Sequence, residues 1–501
     1  MKKILSVALL AFLTSSATHA AEAARSAPPN IVLVVADDLG YGDLSCYGAK
    51  KIKTPRIDRF AEEGARFTDA HSVCAVCNPS RYSILSGTYL WHAKRRNDYS
   101  LYFHEGQVTL PALLKAAGYH TAALGKWHNG FGRGPEPDWN GELKPGPLEV
   151  GFDYFFGTPK THNEPPLVFV EGHHVVGLDP ADPIHVDYSK GPHGLMIGGA
   201  KAQAARPDDR IDFILADKAT KFFSQQKAGT PFFLYLAFAA PHVPIDPAPE
   251  FRGKSGVGLY GDYIQQLDYC TGRVLDALAQ RGFAENTLVI ITSDNGAMFT
   301  RDAINAGHRC NGVLLGQKTD AWEGGHRVPL MARWPGHIPA HSRRKELFTQ
   351  VDFMATFAEV AGVAMPAGAS PDGASDLAGF LDPAHAAAKR TEAVFLGTGG
   401  FALREGDWVY LPKQGSCGLS VPEQKPRPWS QPYALMGFIN SDVTPDGQIK
   451  PGAAPRQLYN LRDDLPQATN RANADPETTK RLDARLEELL PHRPAARKRA
   501  P

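Results

Sequence analysis

Ile31-Val32-Leu33-Val34-Val35-Ala36-Asp37-Asp38 joins six apolar residues, without a break, to two acids. The run is too short for a buried helix and has no polar alternation. It predicts a strand covered on both faces, as in a parallel sheet. Outward from it, Thr54 is placed to cap a helix opened by Pro55, with Ile57, Phe60, Ala61 and Gly64 on one face. Leu110, Leu113, Leu114 and Ala117 repeat that spacing ahead of Gly118. Further buried strands are expected at 121–124, 232–238 and 288–292. Strands alternating with amphipathic helices predict an α/β fold, a large and mostly parallel central sheet flanked by helices, over residues 28–385.

Near Pro383 the composition turns Ala/Pro-rich. Short strand-like pieces at 394–396, 401–404 and 408–411 then precede a helix at 477–490 with Leu482, Leu486, Leu489 and Leu490 on one face. Residues 386–491 are therefore expected to form a smaller C-terminal subdomain, an antiparallel sheet with one helix, and 492–501 a basic solvated tail. At the other end Lys2 and Lys3, an apolar run over 4–13 and Thr18-His19-Ala20 read as a secretory signal peptide, residues 1–20. The expected location is periplasmic or secreted. No later stretch is long and apolar enough to suggest a membrane span.

Of the 501 residues 43% are hydrophobic, which excludes a disordered or fibrous chain. The 54 Lys+Arg against 53 Asp+Glu leave a net charge of +1, so no nucleic-acid partner is expected. Six cysteines are too few for a disulfide scaffold.

Asp37 and Asp38 follow a buried strand, and Asp294-Asn295-Gly296 follows the strand expected at 288–292. In a parallel sheet the carboxyl ends of strands form the ligand crevice. Adjacent carboxylates repel unless a cation or a proton is shared between them. Asp37, Asp38, Asp294 and Asn295 offer only oxygen, which suits Ca²⁺, or alternatively Mg²⁺, better than zinc.

Cys74-Ala75-Val76-Cys77 has no second C-x-x-C to complete a zinc site and no thioredoxin-like context. The residues beyond it are more specific. Cys77-Asn78-Pro79-Ser80-Arg81, with Ser86-Gly87 further on, resembles the signature of the type I sulfatases, the formylglycine-dependent members of the alkaline phosphatase superfamily. The likeness is to arylsulfatase A-like and N-acetylgalactosamine-6-sulfatase-like members. It runs from Pro29-Asn30 to Leu458-Tyr459-Asn460-Leu461. Asn78 stands where Ser, Thr or Ala is commoner, and Thr88 where Arg usually follows the Gly. Both departures leave the C-x-P-x-R core intact.

The resemblance implies an alkaline-phosphatase-like sulfatase fold. It also implies a separate maturation enzyme that oxidises Cys77 to formylglycine (3-oxoalanine), an aldehyde that hydrates to a diol. One hydroxyl of the diol would attack sulfur to give a covalent sulfoenzyme, and deprotonation of the other would expel sulfate. The same resemblance makes residue 77 a metal ligand beside Asp37, Asp38, Asp294 and Asn295. Gly125-Lys126-Trp127-His128 matches a second family segment, with Lys126 holding sulfate and His128 taking the proton that drives sulfate out. His242, in Pro241-His242-Val243-Pro244, would protonate the leaving oxygen or bind sulfate. Lys318 would contact sulfate and the leaving oxygen, and Arg81 the formylglycine hydroxyl. Glu323 and Arg327 read as structural partners holding the Lys318 loop. The expected substrate is a sulfated carbohydrate, with aryl sulfates as surrogates. The rivals are a phosphate or phosphonate monoester hydrolase on the same fold, and a catalytically silent glycan-binding protein if Cys77 is not matured.

Overall fold

A computed structural model describes residues 28–93, 99–134, 136–190, 194–421 and 431–490. The expected signal peptide and basic tail lie outside the described residues.

The apolar run ahead of Asp37 is a strand, β1 (Asn30–Ala36), with every residue buried. It sits within a ten-stranded sheet whose other members are β2 (Ala65–Phe67), β3 (His120–Gly125), β4 (Tyr154–Gly157), β5 (Val170–Glu171), β6 (His174–Val175), β7 (Phe232–Ala237), β8 (Thr287–Ser293), β9 (Leu330–Arg333) and β10 (Ser342–Arg344). Their spatial order is β10-β2-β9-β8-β1-β7-β3-β4-β5-β6. The five central strands, β8, β1, β7, β3 and β4, are mutually parallel, so their carboxyl ends open along one edge. Antiparallel β9 on one side and β5 on the other continue the sheet outward.

Strand periodicity divides β1 between two cores. Val32, Val34 and Ala36 pack with Ile57 and Phe60 of α1 (Pro55–Glu62). Ile31, Leu33 and Val35 pack on the opposite face with Ile84 and Leu85 of α2 (Cys77–Ser86), Leu113 and Leu114 of α3 (Leu110–Ala116) and, further along the chain, Phe353 and Phe357. Helices α4 (Ile211–Gln225) and α5 (Gly258–Gln280) join the first face through Leu215, Phe222 and Leu267. The result is a three-layer α/β/α body. Burying each such aliphatic side chain contributes about 1.5–3 kcal/mol.

One local expectation changes. Thr54 precedes α1, but its hydroxyl makes no capping bond to a backbone N–H. It donates instead to Asp58 Oδ1 at 3.0 Å. The Asp58 carboxylate is the stronger, charged acceptor and also takes the Cys46 N–H.

Beyond the main body, β11 (Glu392–Leu396), β12 (Phe401–Glu405), β13 (Trp408–Leu411) and β14 (Gln457–Asn460) form an antiparallel sheet in that order. Leu482 and Leu486 of α6 (Pro476–Leu489) pack there with Leu403, Tyr410 and Leu458, and with Val73 and Val351 of the main body. Leu396 N–H donates to Val73 O and Ala75 N–H to Leu396 O, so the edge of this sheet grips the segment leading into Cys77. Among the described residues, no helix is long and apolar enough to cross a membrane.

Candidate active site

The candidate catalytic and metal-ligating residues lie at the carboxyl edge of the five parallel strands or on segments packed there. Asp37 and Asp38 leave β1 and Asp294 leaves β8. The two strand ends are tied by Asp294 N–H to Ala36 O at 3.1 Å and Asp38 N–H to Asp294 Oδ1 at 3.1 Å. Gly296 is required by its neighbours: a Cβ there would lie 1.9 Å from Gly324 O. Its N–H donates to Gly325 O at 2.9 Å, which seats the Glu323-Gly324-Gly325 segment against the acidic turn.

Cys77 is the first residue of α2, buried, with its sulfur 3.4 Å from His128 Nδ1. Arg81 follows one helical turn later, and the i,i+4 spacing of the motif puts both on one face. Its guanidinium reaches Asp294 Oδ2 through Nε at 3.0 Å and Nη2 at 2.7 Å, with Asp37 Oδ1 at 3.7 Å. Lys126, at the end of β3, places Nζ 2.8 and 2.7 Å from the two Asp37 oxygens. Lys318 Nζ does the same with Asp38, at 2.7 Å from Oδ1 and 2.8 Å from Oδ2. Asn295 Nδ2 donates to Asp38 Oδ1 at 2.7 Å. His242, beyond β7, has Nδ1 2.6 Å from Val243 O and Nε2 3.7 Å from Asp38 Oδ2. A carbonyl can only accept, so Nδ1 carries a proton and Nε2 is the atom turned toward the acids.

Backbone strain concentrates here. Asp38 (φ 64°), His128 (φ 53°) and Thr319 (φ 85°), which follows Lys318, all occupy the left-handed region that residues bearing a Cβ disfavour. Such strain is typical of segments whose side-chain aim is held by their surroundings.

Electrostatics assigns each group a state. Burial opposes ionisation of Asp37, but Lys126, His242, Arg81 and Lys318 together hold its carboxyl well below the usual range. Burial pushes Asp294 up to about 6, against Arg81. Burial, then Lys126 and Arg81, hold His128 well below its ordinary value. Burial and then Lys318 do the same to His242. Both imidazoles are neutral at pH 7. Burial raises the Cys77 thiol although Lys126 and Lys318 oppose it, so an unmodified sulfur here stays protonated and is a poor nucleophile.

A hard divalent cation fits the donor set. Asp37, Cys77 and Asp294 each bring one possible ligand atom within 4.8 Å of the others. Asn295 Oδ1 is a buried acceptor with no hydrogen-bond partner. Buried acceptors without a partner are uncommon, and an oxygen-binding cation satisfies this one.

Sequence reasoning passed over several supports. Asn78 Nδ2 donates to His128 O, so the residue that departs from the commoner family choice ties α2 to the His128 turn. Tyr235 Oη lies 3.4 Å from Arg81 Nη1. Asp212 of α4 accepts from Ala239 N–H and Ala240 N–H, fixing the turn that carries His242. Asn78 lies inside the C-x-P-x-R signature, whereas Tyr235 and Asp212 belong to no motif; a buried acid on an otherwise apolar helix face was the available signal at Asp212.

Three cations set on three carboxylates around one helix-borne residue suit the hydrolysis of an anionic ester, and that is the class this edge of the sheet defines. Comparison narrows it: the chain belongs to the sulfatase family, the sulfuric ester hydrolases, whose family model matches residues 29–363. It is 34% identical over 505 residues to an N-acetylgalactosamine-6-O-sulfatase of Bacteroides thetaiotaomicron, covering 93% of this chain and 94% of that protein. It is likewise 34% identical over 365 residues to the human N-acetylgalactosamine-6-sulfatase, covering 69% of this chain and 64% of the human protein. A solved Bacteroides thetaiotaomicron structure, from work on a locus for the metabolism of multiple glycosaminoglycans, superposes with a TM-score of 0.82 at 34% identity, over 93% of this chain and 99% of that one.

Proposed function

We propose that this sulfatase is exported and removes the 6-sulfate of N-acetylgalactosamine units in a sulfated glycan, using formylglycine made from Cys77 and a bound Ca²⁺. The substrate reading draws on the two N-acetylgalactosamine-6-sulfatases that the chain resembles, one of them along nearly its whole length. Export draws on the leader-like residues 1–20. The observation that carries the chemistry is residue 77 at the start of α2, facing His128 within a ring of Arg81, Lys126 and Lys318.

When present, hydrated formylglycine supplies one hydroxyl to attack sulfur and a second whose deprotonation releases sulfate. A cation held by Asp37, Asp38, Asp294 and Asn295 supplies Lewis acidity toward that diol and toward the sulfate oxygens. The rest falls to the chain's own side chains. Lys126 and Lys318 aim fixed positive charge at the sulfate oxygens. His128, neutral and in contact with position 77, is in the right state to accept a proton from it. His242 turns Nε2 toward the reacting edge, and the negative charge of a bound sulfate ester favours the protonated ring that donates to the leaving oxygen. Arg81 holds Asp294 in place and offsets its charge.

The test compares three substrates on protein co-produced with a formylglycine-generating enzyme: N-acetylgalactosamine 6-sulfate, and the sulfate and phosphate esters of one phenol. Release from the sugar and from the aryl sulfate is expected, with the phosphate ester much the slowest. Faster turnover of the phosphate ester would assign the site to phosphoryl chemistry. Turnover of the aryl sulfate without the sugar would leave a sulfatase of different specificity.

A further inference from the structure

Residues 161–163 follow β4 at the edge that carries Lys126 and His128, and the two residues after β4 are pinned to that turn. Trp127 N–H donates to Thr158 O at 3.0 Å and His128 N–H to Pro159 O at 3.1 Å. Three consecutive side chains here each leave a buried polar atom without a partner: Thr161 Oγ1, His162 Nδ1 and Asn163 Oδ1. Such atoms occur singly elsewhere in the protein, but a run of three in succession lies beside the reaction centre, where a ligand can supply the partners.

His162 is the most constrained. It is 3% exposed, and Nε2 lies 3.0 Å from Pro244 O. The carbonyl fixes the proton on Nε2, and burial favours the neutral ring, so Nδ1 presents a lone pair. The ring stands edge-on to His242 with centroids 5.6 Å apart. One nitrogen from each ring and an Asp37 oxygen lie within 4.8 Å of one another. Arg206, itself buried and paired with Asp208 at 2.7 Å, donates to His162 O at 3.1 Å and so fixes the loop. A sulfate ester anion has only acceptor oxygens and cannot satisfy His162 Nδ1. The O–H and N–H groups of the alcohol being released supply donors of the kind it needs.

We infer that residues 161–163 form the sugar-recognition subsite, in which His162 Nδ1 accepts a hydrogen bond from a hydroxyl or amide of the sugar that bears the sulfate. The inference rests on the sulfatase reading above and adds to it a reason for preferring carbohydrate over aryl esters. A site with a fixed acceptor discriminates against substrates that lack the matching donor.

The experiment measures kcat/KM for N-acetylgalactosamine 6-sulfate and for an aryl sulfate, with native enzyme, His162→Phe and His162→Asn. His162→Phe is expected to lower the sugar-to-aryl ratio roughly 10–100-fold, while His162→Asn, which offers Oδ1 in place of Nδ1, keeps most of the ratio. A second arm needs only native enzyme. The 3-deoxy and 4-deoxy sugars and 2-deoxygalactose 6-sulfate each remove one donor, which separates hydroxyl from amide. One of them should lose roughly 10–100-fold, and that loss should vanish in His162→Phe. Equal loss on sugar and aryl esters, or all three deoxy sugars turned over like the parent, would overturn the subsite. If native enzyme hydrolyses no sulfate ester at all, the sulfatase reading fails, and the subsite with it.

Discussion

Asp294 in the cleft and Glu323 at the junction with the C-terminal sheet are both fully enclosed carboxylates, yet their acidities move in opposite directions. Burial carries Asp294 up to about 6, because Arg81 is set against the charge of neighbouring Asp37 and Asp38. Burial also opposes Glu323, but His71, Arg327, His326 and Arg404 outweigh it and its carboxyl is lowered. The junction matches its acids with an ion-pair network of its own. Glu323 pairs with Arg327 at 3.0 Å, Arg327 and Arg404 meet Asp69 at 3.1 and 3.2 Å, and His71 bridges Asp69 at 2.8 Å to His326 at 3.0 Å. In the cleft, Asp294 is the acid whose burial is not offset by the protein's own cations. One cluster ties two parts of the fold together and the other surrounds residue 77, so the two should fail differently when broken.

The largest break is at residue 77. Cys77→Ala should reduce sulfate release by roughly 10⁴–10⁶-fold, as when a covalent nucleophile is removed, with thermal stability near native. Rates near native would move the chemistry elsewhere. Lys126→Ala and Lys318→Ala should each cost about 10²–10³-fold in kcat, the range for one preorganised electrostatic group. Asn295→Ala should raise the Ca²⁺ concentration needed for half-maximal activity by about 10–100-fold. Calcium titration after chelation reads this directly, and an unchanged requirement would remove Asn295 from the cation's shell.

At the junction the signature should be stability. Glu323→Gln leaves buried Arg327 with Asp69 as its remaining carboxylate and should cost roughly 1–3 kcal/mol in unfolding free energy, with kcat of the folded enzyme close to native. A loss of kcat without a loss of stability would merge the two clusters. The smallest effect concerns pH. Burial holds His326 down to about 3, against Glu323. The unfolded chain therefore binds a proton below about 6.5 that the folded chain refuses. This contribution to stability is complete above the unfolded value and is lost as pH falls from there toward 3. His326→Gln should flatten the decline in melting temperature between pH 7 and 5; an unchanged slope would place the acid sensitivity elsewhere.

Much of the fold was legible because its central strands are unbroken apolar runs. Val32 and Leu33 face opposite cores, so neither face could be polar, and the acids at 37, 38 and 294 could only sit where those runs end. The outer strands β5 and β6 have two residues each and carry no periodicity to read. The family signature drew Cys77, Arg81, Lys126, His128, His242 and Lys318 together, but pairing is a long-range fact. That Lys126 meets Asp37 while Lys318 meets Asp38 depends on which strands lie side by side. In the sequence His162 is a histidine near motif segments that could face the substrate, with nothing to say which atom would do so. Its significance comes from Pro244, 82 positions away, taking one nitrogen and leaving the other bare.

Mass spectrometry of the peptide containing residue 77, from protein matured in a host with the modifying enzyme, bears most directly on the proposed chemistry. The predicted peptide has lost sulfur and two hydrogens and gained one oxygen, the aldehyde that replaces the thiol. An intact cysteine in protein that releases sulfate at its full rate would contradict it.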